Sequence, residues 1–150
     1  AHARALLDDG PDGRTACLEA DLRDPKRILT HPMIDPDRPV GLLLVAVLHY
    51  VHDDGEARRS VRGMLELLPR GSFLVLSHVT LDFTGPVTTA GLLRVVAGQM
   101  RPRPRPRIAE YLDGLEPIEP GLVPVCDWRP GPDRATAAEV VNYGAVARLP

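Results

Sequence analysis

The chain has 150 residues, 44% hydrophobic and 25% charged, with a formal net charge of −2. That length supports one domain with a real core, and so balanced a charge excludes a general attraction to nucleic acid or to an anionic membrane. The longest apolar run, Val40 to Leu48, is too short to span a bilayer, and two distant cysteines, Cys17 and Cys126, argue against a disulfide framework and for a reducing, cytoplasmic setting.

The first residues, Ala1 to Leu7, read as the end of a helix already under way, stopped at Gly10-Pro11. The domain is therefore expected to have a further N-terminal part. Thr15 to Ala20 reads as a short strand ending at Asp21. Asp24 is a good helix cap and Pro25 suits a first helical position, so a short helix should run to about Thr30. A Pro/Asp-rich loop follows, from His31 to Pro39.

The apolar run comes next. A strand apolar at every position must be covered on both faces, as in a parallel sheet flanked by helices. The run ends in His49, Tyr50, Val51, His52, Asp53 and Asp54. In open α/β sheets, ligands bind at the carboxyl ends of such strands. Asp53 with Glu56 has capping-box-like spacing, and Ala57, Val61, Met64, Leu65 and Leu68 repeat at helical spacing. Pro69-Arg70-Gly71 ends that helix. Ser72 to Ser77 is a second buried strand, and the strand-helix-strand unit predicts a parallel pair with a right-handed crossover.

Gly85-Pro86 opens another expected helix, to about Gln99. In Arg101 to Arg107, arginine and proline alternate, which predicts an extended path without helix. Its arginines suit phosphate, but no aromatic residues interleave them, so a solvated linker is the expectation. Ile108 to Leu112 should form a short helix capped by Gly114. Leu122 to Trp128 and Tyr143 to Arg148 are the last strands, an antiparallel hairpin across an exposed loop.

Three stretches together carry a family resemblance: Glu19-Ala20-Asp21-Leu22-Arg23-Asp24-Pro25; Leu42 through Asp54; and Leu68-Pro69-Arg70-Gly71-Ser72 through His78. In this order and spacing they resemble the S-adenosylmethionine-dependent methyltransferases of Rossmann-like fold, and more narrowly an actinobacterial family of candidate methyltransferases. Asp113-Gly114-Leu115, Glu119 to Val125, Trp128-Arg129-Pro130 and Tyr143 to Arg148 are similar to that family too. The resemblance implies an α/β sheet ordered 3-2-1-4-5-7-6. Ala16 to Ala20 would be strand 3, Val40 to Leu48 strand 4, Ser72 to Ser77 strand 5, Leu122 to Trp128 strand 6 and Tyr143 to Arg148 strand 7. Strands 1 and 2, with the glycine-rich loop, are not found, so the fold is expected to be partial and the chain to bind cofactor weakly or not at all and to be inactive alone. Unpaired edges predict low stability, oligomerisation or aggregation; the oligomeric state stays open.

The resemblance also implies site residues. Asp21 takes the place of a carboxylate that accepts a hydrogen bond from the adenine amino group, with Leu22 flanking the ring; otherwise it is a loop aspartate shaping the Asp24 cap. Ala46, Val47 and His49 would line the cofactor pocket near the sulfonium. His49 is a candidate general base, or else a strand-end histidine satisfied by a carbonyl. His78, at the end of the next strand, would face the same cleft. Asp82 and Phe83 would shape an acceptor pocket, and Trp128 is read as a packing residue. No spacing suits a metal. The expected activity is methyl transfer from S-adenosylmethionine to an unknown, small-molecule acceptor, with no nucleic-acid or membrane partner. The alternatives are a non-catalytic methyltransferase-like interaction module and, with less support, a nicotinamide-dependent oxidoreductase.

Overall fold

The computed structural model describes residues 15–85, 90–91 and 98–150. The N-terminal helix and most of the helix expected over 85–99 lie outside the described residues. Five strands form the sheet that carries the fold. β1 (Gly41–Val45) and β2 (Phe73–Val79) pair in parallel, with Leu42 beside Leu74 and Leu44 beside Leu76. The two-residue segments β3 (Glu116–Pro117) and β4 (Val123–Pro124) both pair antiparallel with the last strand, β5 (Asn142–Arg148). β5 itself runs antiparallel to β2, Val75 facing Val146. The order β1-β2-β5-β3, with β4 also on β5, reproduces the expected 4-5-7-6 half of the family sheet.

The caps read from sequence are in place. Helix α1 (Pro25–Leu29) begins with Asp24 accepting from the Arg27 amide at 3.2 Å. Helix α2 (Asp54–Leu65) begins with Asp53 accepting from the Glu56 amide at 2.7 Å. Each bond satisfies a donor the first helical turn leaves free. α2 is the crossover between β1 and β2. Its Ala57, Val61 and Met64 pack on the sheet face formed by Leu42, Leu44, Leu74, Leu76 and Ala145, together with Ile108 and Tyr111.

The opposite face corrects one expectation. β1 alternates instead of being buried throughout: Leu43 is 64% and Val45 55% exposed, and Phe73 beside them is exposed too. The strand also stops at Val45. Ala46 adopts φ of +52°, a left-handed conformation unusual for a side chain with a Cβ. Its amide donates to Ser77 Oγ at 3.0 Å, which ties the bend to β2. The chain then winds into a 3₁₀ turn, Leu48–Tyr50. Thr15 to Ala20 is not part of the sheet, because no strand among the described residues stands beside it to supply hydrogen bonds.

The Arg-Pro segment is corrected as well. Helix α3 (Arg105–Ala109) forms within it, continued by a 3₁₀ turn at Glu110–Leu112. Pro106 sits in the first turn, where a missing N–H breaks no bond. Nor is the segment a solvated linker, since Arg103 is 2% exposed. Beyond β4 a 3₁₀ turn (Val125–Asp127) replaces the expected strand continuation. A short helix α4 (Ala137–Val140), closed by a Thr136–Glu139 capping box, ends the exposed loop before β5.

Candidate functional site

The carboxyl end of β1 opens on a cavity of about 530 Å³ lined by Asp21, Leu22, Arg23, Tyr50, Val51, His52, Asp53 and Glu56. This is within the size range of small-molecule sites. The loop before α1 supplies one wall, and the turn leading into α2 supplies the other. Leu22 and Val51 offer apolar surface, Tyr50 an exposed aromatic ring, and three carboxylates offer acceptors. Asp21 is ringed by Arg23, whose amide, Nε and Nη2 donate to it at 2.8, 2.9 and 2.6 Å. Those bonds hold the Asp21 carboxyl down at about pKa 2. Arg23 also lies 3.9 Å from Glu56, across the cavity floor.

The sequence candidates divide. Asp21 and Leu22 line the cavity, together with Tyr50, which immediately follows His49. Ala46 and Val47 do not line it; the left-handed bend turns that stretch aside, Ala46 to the exposed side and Val47 against the core. His49 is buried directly behind Tyr50, their ring centroids 4.6 Å apart. His78 is fully buried, 5.6 Å from His49 in an edge-to-face contact and 6.2 Å from Tyr111. The two histidines meet in the core behind the cavity wall, and neither faces the cavity described above, in place of the shared cleft expected from sequence.

What sequence reasoning missed is the group that joins them. Arg103 donates from Nε to Asp54 at 2.9 Å, from Nη1 to the Leu48 carbonyl at 3.2 Å and to His78 Nε2 at 3.0 Å, and from Nη2 to the Val51 carbonyl at 2.8 Å. The strap carrying it is zipped to the same turn. The Arg101 amide donates to the His49 carbonyl at 2.7 Å, and His52 Nε2 is 3.3 Å from the Gln99 carbonyl. His78 Nδ1 sits 2.8 Å from the Val79 carbonyl, so that nitrogen carries the proton and Nε2 accepts from Arg103. Burial, and then the nearby guanidinium, push His78 down to about pKa 4 and lower His49 as well. Both imidazoles are neutral at pH 7. Nothing in the alternation of arginine and proline marks which arginine turns inward.

Asp82 and Phe83 lie apart from the cavity lining. Asp82 accepts from the Arg105 amide at 2.8 Å, and Phe83 packs on Tyr143 with centroids 4.7 Å apart. Asp82 thus ties down the start of α3 and Phe83 packs on β5. Among the described residues no three His, Cys, Asp or Glu side chains gather as a metal site, and no helix is long and apolar enough to cross a membrane.

A parallel pair feeding a cavity at its carboxyl end, with an antiparallel strand beside it, is part of an open, Rossmann-like α/β sheet. The profile of the family described as S-adenosyl methyltransferase matches residues 1–150, and the chain belongs to that family. It is similar to a DUF574 family protein from Streptomyces avermitilis, at 39% identity and a TM-score of 0.86, with 99% of this chain and 60% of that one covered. It is also similar to a candidate methyltransferase from Thermobifida fusca, at 33% identity and a TM-score of 0.79, covering 99% of this chain and 58% of that one. An O-methyltransferase family protein from Burkholderia thailandensis shares the fold, at 21% identity and a TM-score of 0.59, covering 98% of this chain and 38% of that one. The chain thus spans about three fifths of the length of its two nearer structural relatives named here. No curated protein matches it.

Proposed function

We propose that the chain forms the half of an S-adenosylmethionine-dependent methyltransferase that holds the adenosine end of the cofactor and bounds the acceptor. The observation that carries this reading is the cavity itself. It brings the sequence-predicted Asp21 and Leu22 together with Tyr50, Val51 and Glu56 at the carboxyl end of β1. The residues fit an adenosyl group: apolar side chains for the faces of a flat base, carboxylates for its amino group and for hydroxyls. Asp21 would accept from the base, Leu22 and Val51 would sandwich it, and Tyr50 would form the wall between the cavity and His49.

When bound, the cofactor supplies a methyl group activated by its sulfonium, so the protein's work is alignment and exclusion of water. His49 is neutral and buried behind that wall. It lies outside the cavity lining, so it would take a proton from an acceptor that must lose one only where Tyr50 moves aside. The acceptor is proposed to be a small molecule. Family membership and the cavity's size support this reading.

The test is a titration of the isotopically labelled chain with adenosine and with S-adenosylhomocysteine at millimolar concentration, read by amide chemical shifts. Shifts centred on 21–23, 50–53 and 56 are expected; shifts elsewhere, or none at millimolar ligand, would reject the site. The second reading, an interaction module without catalysis, is favoured by the uncovered apolar stripe of Leu43, Val45 and Phe73. It predicts no adenosine response at all.

A further inference from the structure

Arg103 is among the largest fully buried side chains of the molecule, and its hydrogen bonds reach the cavity-lining residues only at the main-chain carbonyl of Val51. A buried guanidinium is costly unless every donor has work. Here three of its four partners adjoin one residue. The Leu48 and Val51 carbonyls bracket His49 in the turn, and His78 is the ring His49 meets edge-on. The fourth, Asp54, opens α2 directly after that turn. His49, by contrast, has no such anchor among the described residues, where its buried Nδ1 finds no hydrogen-bond partner. Its ring orientation is set by what surrounds it.

We propose that Arg103 is the positioning residue for His49: one inward guanidinium clamps the Leu48–Val51 turn and fixes the tautomer of His78, and so holds the His49 imidazole in a single orientation behind Tyr50. His78, with one nitrogen on the Val79 carbonyl and the other on Arg103, is fully committed and plays no part in proton transfer. His49 is left as the member of the pair with an uncommitted nitrogen. The ionisable groups facing His78 are Arg103, His49, Asp54 and Tyr111; those facing His49 are His78, Arg103 and Tyr50. Asp54 is 41% exposed, so the clamp is a buried cation balanced by a carboxylate at the solvent boundary. The clamp is read without any ligand; only its use in methyl transfer rests on the function proposed above.

Long-range nitrogen–proton spectra of the histidine rings in the 150-residue chain test it. In the unmodified chain at pH 7, His78 should show one neutral tautomer protonated at Nδ1, and His49 one sharp set of ring signals. In Arg103→Gln, His78 should lose that single tautomer and both rings should titrate closer to the ordinary histidine range, with the amide spectrum still dispersed; Arg103→Lys, which keeps the charge without the planar fork, should lose the tautomer while its titrations move less. A protonated His78, or the Nε2–H tautomer, in the unmodified chain overturns the proposal whether or not the variants fold. So does a folded Arg103→Gln chain with unchanged histidine titrations. Adenosine shifts at 21–23 are scored separately: a sound clamp with no adenosine response rejects the ligand assignment alone, and the converse rejects the clamp alone.

Discussion

The Asp21 carboxylate and the Arg23 guanidinium meet in two side-chain hydrogen bonds, of 2.6 and 2.9 Å, on the wall of the cavity. Both groups are more than half exposed. A ligand donor must therefore share Asp21 with a neighbour that already faces it. Asp21→Asn should weaken adenosine binding by about tenfold, the effect of losing a charged acceptor. Arg23→Ala should change it by less than about threefold, since Asp21 stays ionised at neutral pH without help. Amide-shift titrations of the two variants measure both.

Stability should fall with acidity below neutral. The folded-state pKa of His78 is depressed to about 4, chiefly by burial, whereas in the unfolded chain it titrates near 6.5. The unfolded state then binds more protons between those values. The contribution is complete above about pH 6.5 and disappears as pH falls through about 4, with a span on the order of 3 kcal/mol. His49 is shifted in the same direction. Urea unfolding at pH 7.5, 6 and 5 should show the slope, and His78→Gln should flatten it.

Removing the Arg103 side chain should destabilise the fold by about 3 kcal/mol, because Arg103→Ala leaves two carbonyls and His78 Nε2 in a dry interior without a donor. Equilibrium denaturation at pH 7.5 separates this from the histidine effect.

Loss of the α2 cap should be milder. Asp53→Ala removes the acceptor 2.7 Å from the Glu56 amide and should cost about 1 kcal/mol. Asp53 also lines the cavity, so the same variant should shift the adenosine-responsive amides of its neighbours.

Leu43→Glu with Val45→Lys should suppress concentration-dependent association while changing unfolding free energy by less than about 0.5 kcal/mol each, because both side chains stand on open surface. Sedimentation velocity across a range of concentrations reads the first quantity and urea unfolding the second.

Much of this fold is written locally. Asp24 and Asp53 announce their helices through spacing alone, and the α2 stripe of Ala57, Val61 and Met64 is periodic enough to name its buried face. The parallel pair follows from chain geometry. Other features depend on what stands next to a residue in space. Val40 to Leu48 is apolar throughout, so periodicity could not show that Leu43 and Val45 face open surface, nor that Ala46 breaks the strand. Thr15 to Ala20 has strand composition but no described neighbour to pair with. At the site, local pattern put Asp21 only at the junction of a strand-like run and a capped helix; its candidacy came from the family resemblance. Arg103 was not, because four arginines in a repeat look alike until one of them finds a hole.

The prolines beside that arginine have a consequence of their own. Pro102 and Pro104 fix two backbone torsions on either side of Arg103 before the chain folds. Ordering this stretch therefore forfeits less freedom than threading an equally long flexible segment into the interior. What looks like a low-complexity tract is a stiffened rod that presents a single guanidinium at a set pitch. A chain with serines at 102 and 104 could make every bond seen here and still dock the segment less firmly.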